Sequence, residues 1–244
     1  MTTGSGTDFR SRLYEGYSST HAGYSDTAAA RLVYRSHIRR ALPEPARTTT
    51  VLDLGCGQGA LVELLQGDGF DASGIDLSAE QVQIARAAGR TGIVLGDFEE
   101  YLAGTAEPYD AIVATDLLEH LGKQAVMRTF DQVHHGLKPG GVFVGQVPNA
   151  VSPFAGNIAY GDFTHETLFT GRSITQLAAT AGFGRVRVRS CPPRVHSARS
   201  AARVLVWKPL SGLFKLALAA ETGQLRGHIV TQNLIFVAHK GIRG

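Results

Sequence analysis

The sequence predicts an α/β fold, a mostly parallel sheet with helices on both faces. Three observations predict it. Short, continuous apolar runs alternate with segments of helical spacing along most of the chain, and strands that are apolar on both sides belong to parallel sheets covered twice. The first such run ends in a glycine-rich loop, VLDLGCGQGA at residues 51–60, that opens a helical segment. The composition agrees: 43% hydrophobic residues supply a full core, 29 glycines suit many tight loops, and 244 residues make one large domain rather than two.

Residues 1–9 are rich in Gly, Ser and Thr and are expected to fray. Residues 10–42 carry apolar and tyrosine positions at helical spacing, with Leu32, Val33, Ile38 and Leu42 as one buried stripe, and Pro43 and Pro45 end that helix. We read 1–46 as an N-terminal helical lid segment and 47–244 as the main domain. Strand one is expected over 49–55, with a helix over 59–67. Strand two follows over 71–77, and its helix starts at Ser78, an N-cap with Glu80 in the first turn. Strand three is expected over 91–97, strand four over 109–116 with a helix over 123–137, and strand five over 140–148. A long loop, 149–170, leads to a helix over 173–181. Strand six is expected over 185–190 and strand seven over 229–240. Between them, 191–228 reads as a helical insertion that Pro209 and Gly212 split into two pieces.

Net charge is only +3, but thirteen acids and two bases fall between Val51 and His120, and nine bases and no acid between Thr167 and Ala220. A basic face of this kind is either solvated or attracts an acidic acceptor. Nucleic acid is not expected, because no aromatic–basic interleaving is present. Cys56 and Cys191 sit in no ligand spacing, and no acidic cluster is evident, so no metal is expected. The start MTTGSGTDFR is polar and no apolar run reaches membrane-spanning length, so a cytoplasmic location is expected.

The loop at 51–60 carries the chemistry. Its glycines allow positive φ and close backbone approach of a ligand, and the following helix offers unpaired amides. The string GCGQGA also satisfies the loose dinucleotide pattern of a dehydrogenase, with Asp76 near the expected ribose position. Asp53 separates the two readings. It would repel a pyrophosphate but suits the cationic amino-acid end of S-adenosylmethionine. Asp97 at the end of strand three suits an adenine amine, with Phe98 packing beside the base.

Together with GIDLS, GDFEE, TDLLEHL and LKPGGVFV, the loop DLGCGQG resembles the class I S-adenosylmethionine-dependent methyltransferase family over roughly residues 47–240. The resemblance implies a Rossmann-like seven-stranded sheet of order 3-2-1-4-5-7-6 with strand seven antiparallel. It implies S-adenosyl-L-methionine as cofactor, with Asp53, Gly55 and Gly57 along its methionine part and Asp76 on the ribose hydroxyls. Leu77, Asp97 and Phe98 would surround the adenine, and Thr115 and Asp116 would border the amino group.

In open parallel sheets, ligands meet beyond the carboxyl ends of the strands, so the acceptor is expected at the ends of strands four and five and against the 149–170 loop. There GDFTHETLFT resembles a feature of small-molecule methyltransferases, including many of polysaccharide and natural-product pathways. His165 is the first choice of general base, oriented by Asp162, and His120 is the second. Each histidine has a structural alternative, tying its loop to the sheet. Tyr14, Tyr17 and His21 would close over the cofactor and acceptor as a lid, with Tyr14 toward the cofactor, and Tyr160 would contact the acceptor.

The expected activity is O-methylation of a sugar or natural-product hydroxyl, the acceptor being small and either acidic or sugar-containing. The alternatives are N- or C-methylation, or a non-catalytic cofactor-binding subunit. For the basic insertion, a helical cover on the sheet edge or a homodimer contact is favoured over contact with an anionic membrane surface.

Overall fold

The computed structural model describes residues 27–241. The expectations for Tyr14, Tyr17 and His21 therefore lie outside the described residues. The elements are α1 (Thr27–Val33, continued by a wider turn over Tyr34–Ile38), β1 (Thr50–Leu54), α2 (Ala60–Gly67), β2 (Asp71–Asp76), α3 (Ala79–Ala87), β3 (Ile93–Leu95), α4 (Phe98–Gly104) and β4 (Tyr109–Thr115). A short 3-10 turn (Leu118–His120) precedes α5 (Lys123–Gly136), β5 (Leu137–Pro148), α6 (Ala155–Ala159), α7 (Gly171–Thr180), β6 (Arg185–Ser190), α8 (Ala198–Thr222) and β7 (Asn233–His239).

The seven strands form one sheet in the order β3-β2-β1-β4-β5-β7-β6. Strands β1 to β5 pair in parallel and β7 runs antiparallel to both β5 and β6. Order and direction are those expected. Side chains alternate across the sheet into two cores. Leu52, Ile112 and Phe143 pack with Phe130 and Phe236 on one face, while Val51, Val113 and Val144 pack with Leu65, Tyr34 and Ile38 on the other. That double burial is why these strands read as unbroken apolar runs. On the first face Phe130 meets Phe143 edge-on at 5.4 Å and stacks on Phe236 at 5.8 Å. Only glycine fits at 145, because a Cβ there would collide with the Phe236 ring.

Helix α1, its continuation and the turn that follows bury Tyr34, Ile38 and Leu42, and the Tyr34 hydroxyl donates to Asp68 Oδ2 at 2.7 Å. Of the expected stripe, Leu32 and Val33 are only half-buried. Two expectations need correction. Helix α4 was not expected. Asp97 starts it by accepting from the amides of Glu99 and Glu100 at 2.7 and 3.2 Å, an N-cap with two acids in the first turn. The insertion is one helix of 25 residues that runs through Pro209 rather than breaking there. Proline removes one backbone bond from the helix. Here Pro209 and Leu205, whose carbonyl would accept that bond, both lie on the exposed side of the helix, where solvent can take the place of the missing donor. The Ser197–Ser200 capping box and Gly223 at φ 70° close the two ends.

Candidate active site

The sheet order reverses between β1 and β4, so the loops leaving their carboxyl ends splay apart into a crevice. The loop after β1 turns through Gly55, Gly57 and Gly59 at φ 66°, 53° and 77°, angles that exclude most other residues. A Cβ at Gly57 would find nothing nearer than Gln81 Oε1 at 3.9 Å, so the loop leaves open space above its backbone. Asp76 ties this loop to the next, its Oδ2 accepting from Gly57 N at 2.7 Å and its Oδ1 from Ser78 N at 2.8 Å. Each oxygen keeps a second lone pair for a ligand hydroxyl. Leu77, 66% exposed, projects beside it.

Asp53 is fully buried, and its Oδ1 has no hydrogen-bond partner among the described residues. Burial, and then the neighbouring Asp76 charge, push its carboxyl well above the usual carboxylate range. A buried acid lacking a partner fits a cationic ligand group, as the amino-acid end of S-adenosylmethionine supplies. Asp97 reaches this side of the sheet with Oδ1 already used as the cap of α4, and Phe98 packs partly into the core beneath.

The second half of the site lies beyond β4. Asp116 holds φ 52°, a strained angle for a residue with a side chain, and Gln146 Nε2 donates to both of its carboxylate oxygens at 3.1 and 3.0 Å. The next turn places Glu119 and His120 three and four residues further on. The long loop is pinned to this turn. The amides of Glu166 and Thr167 donate to the Glu119 carbonyl at 2.8 and 3.0 Å, and the Thr167 hydroxyl donates to the Leu121 carbonyl at 2.7 Å. His165 is thereby brought to His120, ring centroids 4.7 Å apart.

Both imidazoles are held by their Nδ1 atoms. His165 Nδ1 lies 2.9 Å from the Ile158 carbonyl, so it carries the proton. Thr164 Oγ1 donates to Asp162 Oδ1 at 2.6 Å and therefore accepts from His120 Nδ1 at 2.7 Å. With the proton on Nδ1, the lone pair of each ring sits on Nε2, the tautomer that metal ligands and bases share. This corrects the role expected of Asp162, whose carboxylate orients His120 through Thr164 while a backbone carbonyl orients His165.

The structure also assembles the acidic cluster that the sequence did not reveal. Ligand atoms of Glu119, His120 and His165 lie within 4.8 Å of one another. Glu119 is buried, and its Oε2 has no partner among the described residues. Burial, then the charges of Asp116 and Asp162, push its carboxyl well above the usual range. A crowd of acids around an orphaned oxygen and two nitrogen lone pairs fits a divalent cation. Glu119, Gln146 and Thr164 were not singled out in the sequence. The only local signal was the Asp116–Glu119–His120 spacing, which a single helical turn gathers on one side. Tyr160 is 89% exposed on the loop surface.

The methyltransferase-domain family model matches residues 27–188. Among curated proteins, the chain is 35% identical over 116 residues to the ubiquinone biosynthesis O-methyltransferase of Xylella fastidiosa (strain 9a5c), covering 45% of this chain and 46% of the relative. The chain thus spans about half the length of the curated relatives it matches. A solved S-adenosylmethionine-dependent methyltransferase from Archaeoglobus fulgidus superposes with TM-score 0.65 at 20% identity, over 86% of this chain and 94% of that one. Phosphoethanolamine N-methyltransferase 2 of Haemonchus contortus, solved with S-adenosylmethionine, superposes with TM-score 0.62 at 18% identity, over 97% of this chain and 61% of that one. At such identities the likeness is one of fold.

Proposed function

The chain belongs to the class I S-adenosylmethionine-dependent methyltransferases, and from that premise we propose that it methylates a hydroxyl oxygen of a small-molecule acceptor. The observation that carries this reading is the convergence of Glu119, His120 and His165 beyond β4. A hydroxyl must lose its proton as it attacks, whereas an amine is deprotonated before it binds and needs no such device. The relatives named as O-methyltransferases support oxygen as the methylated atom. They give no support to a sugar or natural-product acceptor, and that narrower expectation is not carried forward.

S-adenosylmethionine is the enzyme's cofactor, and bound there it would supply its sulfonium methyl to the acceptor oxygen, with a neutral thioether left behind and the hydroxyl proton passing to solvent. The protein positions the partners. Asp76 holds the ribose, Asp53 receives the amino-acid end, and Leu77 and Phe98 flank the adenine. Such alignment supplies roughly 7–11 kcal/mol toward the barrier. Glu119, His120 and His165 would hold a divalent cation, whose chemistry there is to acidify the acceptor hydroxyl. Asp162 with Thr164, and the Ile158 carbonyl, keep the two imidazoles in the tautomer this requires.

The test is a panel of matched hydroxyl and amine acceptors with methyl-labelled cofactor, run with added magnesium, manganese or zinc and with chelator, and read by mass spectrometry. Label on oxygen, lost with chelator, is expected. Label on nitrogen alone would overturn the assignment.

A further inference from the structure

Helix α8 turns two different faces outward and inward. Ser200, Val204, Trp207, Ser211, Phe214 and Leu218 recur every three or four residues and, with Ala201 and Ala219 beside them, are the buried or half-buried positions, so this side packs on the protein. Phe214 meets Trp207 at 6.5 Å and, on the 149–170 loop, Phe154 at 6.1 Å. The opposite side is also apolar, and it is open: Leu205, Val206, Leu213 and Leu216 are 72%, 61%, 60% and 66% exposed.

The charges follow the same geometry. At 3.6 residues per turn, Arg199 and Arg203 fall along one edge of the outer face, and Lys208 and Lys215 fall along the other. All four are exposed, and the helix carries one acid, Glu221, in its last turn. On the 149–170 loop, Phe154 and Phe163 are also exposed, 58% and 82%.

We propose that the outer face of α8 lies flat on an anionic membrane surface, its leucines entering the headgroup boundary and its two basic edges meeting lipid phosphates. An apolar stripe between bases whose long stems reach outward is the pattern of an interfacial helix. The charges argue against a second copy of the chain as occupant. Self-pairing would set these bases against one another, and no acid falls between Thr167 and Ala220 to relieve them. Spanning is excluded for this helix, since no helix among the described residues is long and apolar enough to cross a membrane. The inference is independent of the atom methylated.

The test is co-sedimentation of the full chain with phosphatidylcholine vesicles and with vesicles that also hold phosphatidylglycerol, at low and high salt. Cofactor binding by calorimetry serves as the folding control. Binding to the anionic vesicles alone, weakened by salt, is expected. Reversing Arg199, Arg203, Lys208 and Lys215 to Glu should weaken it by about tenfold or more, and Leu205→Ser with Leu213→Ser and Leu216→Ser should abolish it, with cofactor binding retained in both. No binding to anionic vesicles at low salt would overturn the proposal. Binding indifferent to the leucine changes, or a dimer in ultracentrifugation that those changes dissociate, would do so equally.

Discussion

Glu119 is held ready for a charge it does not yet have. Its carboxyl is buried beside Asp116 and Asp162, with one oxygen lacking a partner among the described residues. Such a site is destabilising until a cation fills it. Glu119→Gln removes the charge and keeps the shape. Without divalent ions the variant should melt higher than the natural protein. Adding the ion should stabilise the natural protein, by about 2.7 kcal/mol at a hundredfold excess over Kd, and leave the variant unmoved. Equal stabilisation of both by the cation would remove Glu119 from the ligand set. None of this was legible along the chain. Glu119 and His165 are 46 positions apart in the sequence, and their meeting depends on two amides of the loop bonding to one carbonyl of the turn. Asp53 and Asp76 were legible, because the glycine loop and the strand ends that place them are contiguous in the sequence.

At the scale of the element, periodicity served the strands better than the helices. Apolar runs buried on both faces carry their own signature, and β1 to β6 fall within three residues of their expected limits, while β7 starts four residues later than expected. The helix α4 lacks such a run and rests on the capping carboxylate of Asp97, which the sequence presents only as a ligand group. Pro209 misled in the other direction. Its propensity cost is about 3 kcal/mol relative to alanine, enough to end an isolated helix, but the inward aromatic side of α8 and its two caps keep the helix whole. Pro209→Ala should therefore tighten α8 locally. Amide exchange of residues near 205–213 should slow by about tenfold or more, while the global melting temperature moves little, since so much of the helix is exposed. Unchanged exchange there would show that the proline imposes no cost in this setting.

Across the whole molecule, acids gather at the cofactor end and bases on α8 and β6, so one sheet separates a site for cations from a face for anions. The acidic end has a consequence for pH. Burial raises the carboxyls of both Asp53 and Asp76 in the free protein, the Asp76 charge adding to the first and the Gly57 and Ser78 amides partly offsetting the second. A carboxyl whose folded pKa is raised binds more protons folded than unfolded. Stability therefore falls as pH climbs from the ordinary carboxyl value, about 4, up through the raised folded values. Asp110, shifted down through Lys138 and Thr50 against the cost of burial, opposes this in the acid range. His37 and His239, shifted down by burial, oppose it on the way to neutrality. The cleaner observable is cofactor binding. An ammonium placed against Asp53 favours its ionised form, so binding expels the proton that the free protein holds. Affinity for S-adenosylmethionine should rise with pH from about 4 and level off above the folded value of Asp53. Calorimetry in buffers of different ionisation enthalpy should detect the released proton. S-adenosylhomocysteine, with the same ammonium and no sulfonium charge, should show the same slope, and Asp53→Asn should flatten it for both. A slope that survives in the asparagine variant would assign the proton, and with it the amino-acid end of the cofactor, to another group.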